Sequence, residues 1–309
     1  MINRQLIRLK VIQLAYAHAS NEVKSLEDAK KELEKSLSLA YDLYRYLLLL
    51  IPEITDLAVI YYNERVQQLQ QLGSTESVSP KFIHNRLAAQ LDSNVEFSDF
   101  ASQSKTHSWQ EADDELQALY KAIVESEPYK AYMTSPEDSY EADRELWKVL
   151  YKMFICDNEG IDNVLEEWSI YWNDDKDIVD TFVLKTIRRM DPSQGANQPL
   201  LPPYSSEEDR EFAFQLYTSV LLHRAEYEDL IASATRNWDL ARISPMDKVI
   251  MVTALAEILT FPSIPVRVSL SEYLNIAKRY SSLKSVPYIN GILDALVNNQ
   301  LKDRLTNKL

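Results

Sequence analysis

The chain has 309 residues, 46% of them hydrophobic and 26% charged, with 4 Gly, 12 Pro and 1 Cys. That length allows two domains or one elaborated one, while average glycine usage would give roughly 20 glycines, so hairpin-rich folds are disfavoured and no GxGxxG or GxxxxGK phosphate loop can be assembled. A formal net charge of −14 argues against a polyanionic partner for the chain as a whole, and the single cysteine, Cys156, excludes an internal disulfide or a cysteine-cluster zinc site.

The pattern is helical nearly throughout, and an all-α fold is expected. Residues 4–18 read as an amphipathic helix, with Leu6, Leu9, Gln13 and Tyr16 at three-to-four spacing and Arg4 and Arg8 stacked one turn apart. Residues 26–50 predict a long helix interrupted at Pro52, and 53–72 a further one. The stretch Gly73 to Pro80 is a linker. Residues 81–91, 109–126, 137–156, 161–172 and 175–190 read as helices between polar turns, and Asp191 to Ser206, with Pro192, Gly195, Pro199, Pro202 and Pro203, is the strongest break in the chain. Three segments follow: an N-terminal bundle over 1–74, an acidic helical insertion over 75–205 and a C-terminal bundle over 206–309.

The C-terminal part is the most legible. Residues 207–236 predict one long helix. Ser244-Pro245-Met246-Asp247 predicts a helix start, because serine caps, proline suits the first helical position and aspartate meets the helix dipole; that helix should end before Pro262. Ser269 and Glu272 match a capping box ahead of a stripe of Leu270, Tyr273, Leu274, Ala277 and Tyr280. Ser285 is expected to cap a last helix in which Ile289, Ile292, Leu293, Leu296 and Val297 share one face.

The net charge hides an asymmetry. Residues 1–24 sum to +3 and 236–309 to +4, whereas 25–235 sum to −21, so both ends are basic and the middle is acidic. The longest aliphatic run, Leu47 to Ile51, is far too short to cross a bilayer, and no apolar core or cleavage site follows Arg4, Arg8 and Lys10; a soluble cytoplasmic protein with no membrane partner is expected.

Candidate chemistry is sparse. His18, His84, His107 and His223 are widely separated with no metal-ligand spacing, no serine sits in a GxSxG elbow, and Cys156 follows Met-Phe-Ile as a core residue would. No catalytic residue, metal or cofactor is expected. The last helix is less ordinary, because Gly291 sits inside a strongly periodic segment where glycine costs about 1 kcal/mol relative to alanine. Asn290 and Asp294 flank it one turn apart, Tyr288 lies in the first turn, and Lys278, Arg279 and Lys284 precede it. Two arrangements suit that set: a close helix crossing over a buried Tyr288, or a phosphate-bearing strand with a base stacked on the tyrosine.

These residues resemble a known family, the bacterial transcription antitermination factors called NusB. The similarity runs in order through Trp238-x-Leu-x-Arg242-Ile243, Asp247-Lys248, Glu257, Ile264-Pro265, Val268, Ser271-Glu272, Ala277 to Ser281 and Ser285-x-x-Tyr288-Ile-Asn-Gly-Ile-Leu-Asp294, and Arg4, Arg8, Gln13 and Tyr16 are similar to the family's arginine-rich first helix. It covers residues 1–20 and about 205–298. The resemblance implies two helical bundles, here elaborated by the acidic insertion. It also implies a heterodimer with NusE, a small-subunit ribosomal protein, that binds boxA-type single-stranded RNA within the RNA polymerase antitermination complex. By position, Arg4, Arg8, Tyr16, Lys278, Lys284, Ser285, Tyr288 and Asn290 would face RNA, and Glu272 and Asp294 the protein partner. Gln5 and Leu6 depart from positions often basic in the family, and Lys284 from one that is acidic. The alternative is a non-catalytic helical scaffold whose acidic middle recruits basic proteins.

Overall fold

The computed structural model describes residues 1–20, 25–103, 107–235, 243–282 and 284–305; the Trp238, Leu240 and Arg242 positions of the sequence motif lie outside the described residues. Among them the fold is all-α, with an isolated bridge between Ile2 and Tyr204 and no strand. No described helix is long and apolar enough to cross a membrane.

In chain order the helices are α1 (Arg4–Ser20), α2 (Leu26–Gln71), α3 (Arg86–Asp92), α4 (Val95–Gln103), α5 (Asp113–Glu125), α6 (Glu127–Thr134), α7 (Tyr140–Phe154), α8 (Glu159–Trp168), α9 (Lys176–Arg189), α10 (Glu207–Leu222), α11 (Arg224–Ala234), α12 (Pro245–Thr260), α13 (Val266–Tyr280) and α14 (Ser285–Ala295). They form two compact units. The first is Met1 with Leu39–Pro203, and the second is Ile2–Ser38 with Tyr204–Leu309. One division falls inside α2, where the sequence shows no break, and the other falls in the proline-rich stretch.

The first unit centres on α7, which packs against α3, α5, α6 and α9 and fully buries Trp147, Leu150 and Tyr151. Two buried carboxylates are satisfied there: Asp143 accepts from Tyr132 Oη (2.7 Å) and the Arg86 amide (2.9 Å), and Asp180 from Tyr151 Oη (2.6 Å) and Lys176 Nζ (3.1 Å). Cys156 is half-buried rather than a core residue as expected, and burial, with the negative charge of Asp180 next, pushes its thiol up to about 12.

The second unit is built around α12, which contacts α1, α10, α11, α13 and α14 and is buried on nearly every side. A helix apolar all round belongs in a core, and Val249 to Ile258 carries only Glu257 as a charge. Helix α1 is not amphipathic as expected: Leu6 to Ile12 are all buried, Arg8 and Lys10 included, because α10 and α12 both pack on it.

Other elements depart from the sequence expectation for identifiable reasons. Helix α2 runs through Pro52 without interruption. Leu47, Leu48, Leu50, Ile51 and Ile54 are completely buried around it, and that apolar burial outweighs the missing N–H. It ends at Gly73, whose φ of 60° and the Ser74 N to Leu69 O bond (2.9 Å) make a left-handed cap. The single helix expected over 207–236 is two, parted at His223, so that α10 and α11 each lay a face on α12. Two short helices escaped the sequence reading, α4 and α6, although Ser126, Glu127 and Pro128 form a capped start for α6 that the pattern carries.

Candidate nucleic-acid interface

Glu257 organises the second unit. It lies on α12 with no solvent exposure, and an isolated carboxylate there would cost several kcal/mol. Four donors remove that cost. Arg8 on α1 holds it in a two-pronged pair, Nε at 2.7 Å and Nη2 at 2.9 Å, while Ser269 Oγ (2.7 Å) and Tyr273 Oη (2.9 Å) donate from α13. Burial alone would lower the Arg8 pKa, but the hydrogen bond and charge of Glu257 prevail and raise it above the usual arginine value. Burial likewise lifts the Tyr273 hydroxyl well above the usual tyrosine value, with Glu257 adding to it, so it remains a donor. One side chain thus ties α1, α12 and α13 together.

Ser269 and Glu272 therefore do not form a capping box. Helix α13 already begins at Val266, after Pro265, and Ser269 is buried in its second turn where it serves Glu257. Glu272 accepts from Arg8 Nη1 at 3.2 Å and stays one-third exposed.

The turn from α13 to α14 is fixed at the other end of α12. Asp247 is buried; its amide donates to Ser244 Oγ (3.1 Å), and its carboxylate accepts from Ser281 Oγ. Ser282, rather than Ser285, performs the capping, since the Ser285 amide donates to Ser282 Oγ at 3.2 Å. Ser285 is the first residue of α14, with its own hydroxyl 2.9 Å from that of Ser282.

Beyond this turn lies a groove of about 540 Å³, lined by Lys284, Pro287, Tyr288, Gly291, Ile292 and Ala295 along α14 and by Ala234 at the end of α11. Lys284 stands exposed at its head and makes no ion pair among the described residues. Tyr288 is half-buried, and burial first, then the neighbouring charge of Asp247, raises its pKa. Lys278, whose Nζ reaches Asn275 Oδ1 at 3.3 Å, and Arg279, whose guanidinium lies 5.9 Å from the Tyr280 ring centre, are exposed in the last turn of α13. The arrangement offers an aromatic wall, an apolar floor and a cation at its head, which suit stacking and phosphate neutralisation. Among the described residues no group of three or more His, Cys, Asp or Glu is placed to hold a metal ion.

The structure brings Lys284 and Tyr288 together at this groove; Ser285, in the first turn of α14, and Lys278, upstream in α13, are not part of its lining, and the other candidates lie elsewhere. Asn290 Nδ2 donates to Asp294 Oδ2 (3.0 Å), and Asn290 is turned about 100° around the helix from Gly291, off the lining face. On α1, Tyr16 is 38% exposed, and Arg4 pairs with Asp209 at 3.1 Å over the Phe212 ring. Arg8 is the clear revision. At 4% exposure, with its nitrogens committed to Glu257 and Glu272, it has no face to give a phosphate and acts by holding α1 in place. Sequence reasoning also missed Ser269, Tyr273 and Asp247 as supports; the one visible signal was a lone glutamate in an apolar helix.

A family model described as the NusB family matches residues 188–298. The chain is similar to proteins named transcription antitermination protein NusB from several bacteria. It is 40% identical to that of Chloroherpeton thalassium over 89 residues, 29% of this chain and 42% of the relative. It is 37% identical to that of Methylacidiphilum infernorum over 93 residues, 30% of this chain and 65% of the relative. It is 32% identical to that of Salinibacter ruber over 121 residues, 37% of this chain and 76% of the relative. The first two matches thus take in less than two thirds of the relative's length. No solved structure matches.

Proposed function

The chain belongs to the NusB family, and from that membership we propose that it is a non-catalytic transcription antitermination factor that binds boxA-type single-stranded RNA of nascent ribosomal transcripts together with NusE, in the cytoplasm. The observation that carries this reading is the groove on α14, where Tyr288 and Lys284, which makes no ion pair among the described residues, line one cleft; the exposed Lys278 and Arg279 precede it in the last turn of α13. Aromatic stacking holds a base whatever its sequence, and the cations neutralise the phosphates on either side. Glu272, presented at the edge of the buried hub, and Asp294 are the residues proposed to face the protein partner.

Fluorescence titration of labelled boxA RNA and a scrambled control, with and without NusE, tests it. The expected result is salt-sensitive binding that favours boxA and tightens when NusE is added. Tyr288→Ala should weaken it by about 1–3 kcal/mol, the usual worth of one stacked base. Equal affinity for both RNAs in the presence of NusE would refute the proposal.

A second reading draws on charge. The first unit carries 29 Asp and Glu against 14 Lys and Arg, the second 18 against 19, so the first unit is suited to recruiting basic proteins as a scaffold. Partners captured from lysate and retained after RNase treatment would favour that reading.

A further inference from the structure

We propose that Gly291 is a binding determinant: the missing side chain keeps the floor of the α14 groove clear, so that an unstacked base of the RNA lies flat against the helix backbone between Tyr288 and Ala295. The inference rests on the RNA-binding reading above and assigns the base subsite within it.

The argument begins with a cost that the fold does not explain. Glycine within a helix is unfavourable relative to alanine, and a folded protein keeps it for a positive φ or for a close approach of neighbouring atoms. Gly291 has neither reason. Its backbone is helical, it is not among the positive-φ glycines, and a Cβ built on it would meet no atom of the described residues within 4 Å. Among the described residues, no helix makes the close crossing that the sequence allowed at this position. Gly160 shows the contrast, since a Cβ there would run into the Glu115 carboxylate at 2.3 Å.

The open space above Gly291 is the groove itself. Gly291 and Ile292 form its floor, Tyr288 stands one turn before and Ala295 one turn after, and Lys284 lies a further turn toward the head. A flat aromatic ring seated on Gly291 would contact the Tyr288 side chain, and the phosphate attached to its sugar would lie toward the Lys284 ammonium. An apolar or aromatic peptide side chain would fill the floor as well, but that side chain carries no anion of its own, whereas every nucleotide joins a flat ring to a phosphate, so a nucleotide matches the apolar floor and the Lys284 ammonium together.

The test compares Gly291→Ala and Gly291→Leu with the wild-type chain, by RNA titration in the presence of NusE and by thermal unfolding. Alanine and leucine are better helix formers than glycine, and the space is open, so both variants should unfold at or above the wild-type Tm. Binding should move the other way: about fivefold to tenfold weaker for Gly291→Ala, and more than about fiftyfold weaker for Gly291→Leu, as the base loses its seat. Stability and affinity changing in opposite directions is a result that a general packing role does not produce.

Wild-type affinity in both variants would overturn the inference while leaving the RNA-binding reading intact. A lowered Tm would also overturn it, because the groove would then be filled by the protein itself. Absence of boxA preference in the wild-type chain would remove the underlying reading, and this proposal with it.

Discussion

A carboxylate shut off from water keeps its charge only when donors surround it, and Glu257 has four. Removing the strongest of them leaves a buried charge without its counter-ion, so Arg8→Ala should destabilise the protein by about 3–5 kcal/mol, read as a lower urea midpoint. Arg8→Lys should recover little of this, since one ammonium cannot reproduce the fork that spans both oxygens of Glu257 and reaches Glu272. Any loss of RNA binding in Arg8→Ala would then follow the loss of fold, whereas Tyr288→Ala should lose binding with its Tm retained. Glu53 is the opposite case. Burial first, and then Asp56 and Asp92, raise its pKa, so the folded state takes up a proton more readily than the unfolded chain. Ionisation therefore costs stability as pH rises through the window from the ordinary carboxylate value to the raised one. Glu53→Gln should stabilise the protein at about pH 7, and the gain should disappear below about pH 4, where the wild-type carboxyl is protonated in both states. Neither pairing is visible in the sequence: Arg8 and Glu257 lie 249 residues apart, and nothing in a helical repeat says which cation will meet which buried anion.

At the level of single elements, local chemistry was readable wherever the backbone's own needs decide the outcome. Ser244 accepts from the Asp247 amide at 3.1 Å and Pro245 follows it, as the sequence pattern predicts for the start of α12. Ser244→Ala should cost about 1 kcal/mol by removing that cap, measurable as a shift in the denaturation midpoint with an unchanged slope. Where packing competes with local preference, packing prevails. Proline stops an isolated helix, yet α2 continues through Pro52 because the surrounding aliphatic side chains are buried on that segment. Ser269 and Glu272 have capping-box spacing, but Pro265 starts α13 earlier and Glu257 claims the serine hydroxyl. The division of residues 207–236 at His223 is of the same kind, since one straight helix could not lay both halves on α12.

For the molecule as a whole, net charge is a poor guide to its partner. The value of −14 belongs almost entirely to the first unit, while the second is close to neutral and exposes Lys278, Arg279 and Lys284 between the end of α13 and the start of α14. Affinity for single-stranded RNA should fall with added salt, with a slope of about −0.7 in log–log form for each phosphate neutralised. Lys284→Ala should flatten that slope by about one such step and weaken boxA and scrambled RNA alike, because a phosphate contact carries no sequence information. Titration over a series of salt concentrations checks both. The sequence by itself determined the all-helical class, the capped start of α12, the apolar face of α14 and the motif that identifies the family, because each depends on residues within a few turns of one another. Only the tertiary structure decided that Arg8 turns inward to a distant glutamate while Lys284 stays exposed and Tyr288 half-exposed, and that no described residue covers Gly291. Helical periodicity fixes which residues share a face, but the burial of that face depends on neighbours from remote parts of the chain.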